Sequence, residues 1–197
     1  IQIGALHGGR FDLELLATCT ELPSLEVESA LREAAAARIL IEDSRRGFEF
    51  IHDRLREALL KGLTDEQRVL IHARLATALE ARSERSLDAC LAVARHAVLG
   101  AGVGPFDRAF SANIRAGKRA LRELSGDDAF PFLDQALQLA RTHGFQLNWD
   151  HYEAYGIACV ATGRAAEAKE SLSLALSGCH DRTSRLNLNR YLVECYR

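Results

Sequence analysis

The sequence predicts a mainly α-helical chain interrupted once by a small β-hairpin. Three observations point there. Alanine and leucine dominate and only three prolines occur, a composition that favours helix. Apolar residues recur at helical spacing along most of the chain, with capping residues ahead of several runs. Only two short runs, Ile39-Leu40-Ile41 and Phe48-Glu49-Phe50-Ile51, have β character.

Residues 3–9 read as a helix stopped by Gly8-Gly9. Phe11 to Leu16 starts a second, with Asp12 as a plausible N-cap, and Pro23-Ser24 breaks it. Ser24 is placed to cap a third helix, Leu25 to Ala37, whose apolar face is Val27, Ala30, Leu31 and Ala34. The β runs then form strands near 39–42 and 48–51. The polar turn Glu42-Asp43-Ser44-Arg45-Arg46-Gly47 joins them, with Arg45 and Arg46 solvated. Three helices followed by a two-stranded wing is the order of a winged helix. It occupies 1–53 and is the only β structure expected.

Residues 54–104 read as a helical connector. Asp53 can cap a helix carrying Leu55, Leu59 and Leu63. Thr64 and Gln67 have the spacing of a capping box, ahead of Ile71, Leu75, Ala78 and Leu79. A further helix from about Ser86 sets Leu87, Leu91, Ala94 and Val98 on one stripe. The run Gly100 to Pro105 ends it and marks a boundary. No strand precedes this glycine-rich run and no lysine follows, so it is a helix terminator rather than a phosphate cradle.

An internal repeat occupies 105–197. Gly117, Ala129, Leu133 and Ala136 align with Gly156, Ala168, Leu172 and Ala175 at a constant offset of 39. The glycines fall in first helices, where a small residue lets a partner approach. The alanines are the small contacts of second helices. This resembles the tetratricopeptide (TPR) pattern of about 34 residues, lengthened near Gly144 to Asn148. Trp149 and Tyr152 open a repeat helix as core or anchor residues. A third first helix begins near Asp181 with Leu186, Leu188, Tyr191 and Leu192. The expected architecture is thus mainly α: a winged helix, then a TPR-like α-solenoid whose repeats bind a protein or peptide and continue in a longer polypeptide. The lack of methionine and the helical pattern running to Tyr196-Arg197 suggest the same continuation.

Composition bounds the function. Hydrophobic residues at 48% and charged residues at 26% match a globular chain and argue against disorder. A net charge of −2 gives no electrostatic reason to expect nucleic acid or an anionic membrane as partner. The five cysteines are odd in number and lack CxxC spacing. They read as reduced, buried thiols of a cytoplasmic protein rather than as disulfides or a zinc site. No apolar run approaches the ~18 residues of a membrane helix, and nothing in the sequence reads as a signal peptide. Phosphate-loop, dinucleotide, nucleophile-elbow and zincin motifs are missing, and no two histidines lie at i, i+4. The expectation is a non-enzymatic segment without cofactor or metal, in which His72 is a partly buried helix residue.

One run is distinctive: Phe48-Glu49-Phe50-Ile51-His52-Asp53-Arg54-Leu55-Arg56-Glu57-Ala58-Leu59, continued by Leu63-Thr64-Asp65-Glu66-Gln67-Arg68 and Ile71-His72-Ala73-Arg74-Leu75-Ala76. It resembles the segment following the ATPase core in STAND-class signalling NTPases, particularly bacterial proteins that join a protein kinase, histidine kinase or nucleotide cyclase to such an ATPase. Asn113 to Ala120 resembles the start of their helical repeats. The resemblance implies that Ile51-His52-Asp53 is the apolar-His-Asp motif closing the winged helix. It implies that His52 reaches toward ADP in an upstream ATPase domain and helps hold the resting state; Asp53 can cap the next helix and orient His52, the alternative being that His52 serves only a local backbone group. ATP or ADP would then bind upstream. The alternative is a winged-helix transcriptional regulator. Leu25-Glu26-Val27-Glu28 opens its recognition helix with acids, and Arg32 and Arg38 are its only cations.

Overall fold

The computed structural model describes all residues except Glu21, Arg45, Arg46, Tyr196 and Arg197. The expectations for Arg45 and Arg46 in the turn, and for the last two residues, therefore fall outside the described residues. Among the described residues the chain is mainly helical, with eleven helices and one three-stranded antiparallel sheet. It divides into two compact units, Ile1–Pro105 and Phe106–Arg197.

In the first unit the helices are α1 (Gln2–His7), α2 (Leu13–Thr20), α3 (Ser24–Ala36), α4 (Asp53–Lys61), α5 (Asp65–Ser83) and α6 (Leu87–Leu99). The strands are β1 (Phe11–Asp12), β2 (Leu40–Glu42) and β3 (Gly47–Phe50), in the order β1-β3-β2. The hairpin pairs Leu40 with Phe50 and Glu42 with Phe48.

The expected two-stranded wing gains a third strand. Phe11 pairs with Phe48 and packs its ring against Phe48 and Phe50, with centroids 6.4 and 5.9 Å away. Phe11, which opens the run read as the second helix, is thus a strand residue, because its backbone satisfies the free edge of β3 while its ring enters the core. Asp12 still caps α2, accepting from Leu15 N at 2.8 Å.

Other local expectations divide between confirmation and correction. Thr64 and Gln67 form the capping box, and Ser86 caps α6 by accepting from Ala89 N. Ser24 is instead the first helical residue after Pro23 and makes no capping bond. Asp53 likewise lies one position inside α4, whose N-cap is His52. On α6 the expected stripe is rotated. Of its four residues Ala94 is fully buried, but Leu87, Leu91 and Val98 are only half-buried, and Ala89, Cys90, Val93 and Ala97 complete the buried face. Small side chains let α6 lie close against α5, and Gly100 comes so near the Ala73 backbone that no Cβ would fit.

The second unit comprises α7 (Phe106–Glu123), α8 (Gly126–His143), α9 (Trp149–Ala161), α10 (Ala165–Gly178) and α11 (Arg182–Glu194), each packed on the next. The aligned residues make the same contact twice. A Cβ added at Gly156 would lie 2.7 Å from Leu172 Cγ, and one at Gly117 would meet Leu133 Cγ closer still. Each glycine of a first helix is thus the notch for the leucine knob of the second, and both leucines are fully buried. Residues 144–148 form the loop between α8 and α9, with Gly144 left-handed and Phe145 stacked on Phe110 at 5.1 Å. Leu172, Ala175, Cys179 and Leu188 form a core on which Trp149, Tyr152 and Tyr191 pack.

Candidate functional site

β3 ends at Phe50, and Ile51 leads to His52 at the N-cap of α4. The His52 carbonyl accepts from Leu55 N at 3.0 Å and Arg56 N at 3.4 Å, so its backbone anchors the helix. Its side chain makes no capping hydrogen bond and is exposed. Asp53 is also exposed; its carboxylate takes the Arg56 guanidinium at 3.3 Å and has no hydrogen bond to His52. The pair is therefore adjacent in sequence and open to solvent, with Asp53 engaged one turn along α4.

The surface around them is apolar in part. Ile51 is 39% and Leu55 37% exposed, and no residue of α4 is buried. Arg68 holds the end of α4 by donating to the carbonyls of Leu60 and Leu63.

Two further arrangements emerge from the side chains. The first is a chain of three histidines in the first unit. His7 Nδ1 lies 3.3 Å from His96 Nε2, and His72 Nδ1 lies 2.9 Å from His96 Nδ1. His96 and His72 are buried, and their rings stack at 5.1 Å. Burial, reinforced by His72, His7 and Arg95, lowers the His96 pKa to about 3. Burial also lowers those of His7 and His72. Beside this chain lies a cleft of about 570 Å³ lined by His7, Arg10, Asp12, Arg82, Ser86 and Arg95. There Arg82 forks onto both Asp12 oxygens at 2.7 and 3.0 Å and reaches Glu14 at 2.8 Å.

The second arrangement, in the second unit, is a groove of about 390 Å³ along α7, lined by Phe110, Ile114, Arg115, Lys118, Arg122 and His151. Lys118 pairs with Asp150 at 2.6 Å.

Sequence reasoning treated the histidines singly and missed their chain. The available signal was the α5–α6 hairpin. His72 and His96 lie at comparable distances from the turn near Ser86, so folding back sets them side by side. His7 comes from α1, and nothing local announces its arrival.

The five cysteines are free thiols. Burial raises the pKa of Cys19 and of Cys159 to about 11, which keeps both inert. No group suited to hold a metal ion occurs among the described residues, and no helix of the described residues is long and apolar enough to cross a membrane. Compared with family models, with curated proteins and with solved structures, the chain matches none.

Proposed function

We propose that this chain is a non-catalytic regulatory and protein-interaction segment of a STAND-type signalling ATPase. It relays the nucleotide state of an adjoining ATPase domain to helical repeats that hold a protein or peptide partner. The observation that carries this reading is the setting of His52: its side chain is exposed and makes no capping hydrogen bond, and it stands beside the exposed Ile51 and Leu55 at the start of a helix that buries none of its residues. Such a surface suits a docked domain. An imidazole there can donate to a phosphate oxygen of ADP.

The sheet order β1-β3-β2, threaded by α1, α2 and α3, supports the winged-helix part of the reading. The twice-repeated glycine–leucine contact supports the TPR-like part. The DNA-binding alternative finds less support. Arg32 is paired with Glu28 at 2.6 Å, and α3 carries Glu26 in its first turn, which would face phosphate unfavourably.

The test is ADP release from the polypeptide joining this chain to its ATPase domain. A charge-assisted bond from His52 contributes roughly 1.5–3 kcal/mol. His52→Ala should therefore speed release about ten- to a hundredfold. Equal release rates, with the fold intact in both proteins, would remove the proposed role of His52. Tight binding of labelled duplex DNA, weakening steeply between two salt concentrations, would favour the transcriptional reading instead.

A further inference from the structure

The histidine chain has a proton capacity set by its geometry. A neutral imidazole carries one N–H and a protonated one carries two. Each of the two nitrogen–nitrogen contacts in the chain holds one hydrogen. One arrangement satisfies every ring while all are neutral. His72 Nδ1–H donates to His96 Nδ1, His96 Nε2–H donates to His7 Nδ1, and the remaining His7 nitrogen carries the third hydrogen.

A single added proton can sit on the outer nitrogen of His72 without breaking a contact. A second cannot be added. It would set two N–H groups against each other across a contact of 2.9 or 3.3 Å. The closed chain therefore holds at most one proton beyond the neutral state, whereas three solvated imidazoles hold three.

The surroundings oppose even the first proton. Arg68 and Arg82 on α5, and Arg95 on α6, are cations acting on these rings. Arg10 stands after α1 and pairs with Asp43. Arg56 on α4 reaches the Ala5 carbonyl at 3.5 Å. The anion facing His7 is Asp12, which together with Glu14 of α2 is engaged by Arg82. The cleft beside His7 gives water a route to that end of the chain.

We propose that this histidine chain is a proton-operated latch. It holds α1 against the α5–α6 hairpin while its rings are neutral, and acidification releases α1. Gly8, in the left-handed conformation, and Gly9 follow α1 directly and supply the hinge. Release would uncover Phe11, which is 2% exposed and whose ring lies against Gly4 of α1. An acid-induced apolar surface is therefore the output of the latch.

The sign follows from proton uptake. The histidine pKa values are lowered in the folded state, so the latch is fully stable above the ordinary histidine value near 6.5 and weakens as pH falls below it. Opening takes up at least two protons when all three released imidazoles are charged. The opening equilibrium then steepens toward ~100-fold or more per pH unit.

The test is hydrogen exchange of the whole chain between pH 7.5 and 5.0, corrected for intrinsic rates. It compares the α1 amides, including Ala5 and Gly8, with those of α8. In the wild type, α1 protection should fall at least ~10-fold per pH unit below about 6.5 while α8 holds. His7→Gln and His72→Gln each remove one titrating ring and should flatten that fall by up to ~10-fold per unit. Parallel loss in α1 and α8 would overturn the latch, a result the wild type alone can give. A fall of unchanged steepness in both variants would also overturn it. The latch does not depend on the role proposed for His52.

Discussion

Asp12 shows how much one side chain can hold. It caps α2 through Leu15 N and receives both arms of Arg82. Burial works against its charge, but the hydrogen bonds from Arg82 and Leu15 outweigh burial and lower its pKa. The stability it confers is therefore present above the ordinary carboxylate pKa and is lost as pH falls through the folded value. With the side chains 30% and 40% exposed, the ion pair itself contributes modestly. Asp12→Ala should cost about 1–2 kcal/mol, mostly through the lost cap, because Arg82 keeps Glu14 as a partner. Urea unfolding at pH 7 checks this, and the gap between variant and wild type should narrow as pH falls below the ordinary carboxylate range. Arg38 gives a prediction of the opposite sign. It holds φ 57° just after α3, a conformation costly for a residue with a Cβ. Arg38→Gly should stabilise the chain by ~0.5–1 kcal/mol, seen as a higher urea midpoint with an unchanged slope.

Among elements, the helix pairs α7–α8 and α9–α10 offer the sharpest test. The notch at Gly156 and the knob at Leu172 occupy one space. Gly156→Ala pushes a methyl into Leu172 and should cost about 1–3 kcal/mol. Leu172→Ala opens a cavity and should cost about 2–5 kcal/mol. In the double variant the new methyl partly fills the vacated volume, so its destabilisation should fall short of the sum by at least ~1 kcal/mol. Gly117 and Leu133 should behave alike, because the same contact recurs there. Strict additivity at both sites would show that the notch does not seat the knob.

At the scale of the whole molecule, each unit has its own buried residues. Leu15, Leu31, Leu40 and Leu75 lie inside the first, and Leu133, Leu172 and Leu188 inside the second. Residues 1–105 and 106–197, produced separately, should each remain helical and melt cooperatively, as followed by circular dichroism. Loss of helix in either half would mean that its core is incomplete alone. If the proposed function holds, calorimetry of the whole chain with ATP should show no tight stoichiometric binding. A tight site would place nucleotide recognition within this chain rather than in an adjoining domain.

Local chemistry was legible in the sequence wherever neighbours in the chain decide the outcome. The mainly helical class, the β2–β3 hairpin, the Thr64–Gln67 capping box, the cap at Asp12 and the start of α6 near Ser86 all rest on contacts within a few residues. The 39-residue offset was legible because a repeated contact demands repeated residues, and Gly117–Leu133 and Gly156–Leu172 meet that demand. At the candidate site, sequence placed His52 and Asp53 where sheet passes to helix, but assigned the cap to the wrong one of the two. Tertiary structure alone decided the rest. Phe11 opens the run read as the second helix yet pairs with β3, because the open sheet edge and the aromatic core attract it from 37 residues away. The stripe on α6 turned toward its alanines because α5 approaches closely, and no periodicity within α6 encodes the distance to its neighbour. His7, His72 and His96 became one chain because three helices converge, and burial and hydrogen bonding are properties of that convergence rather than of any one residue.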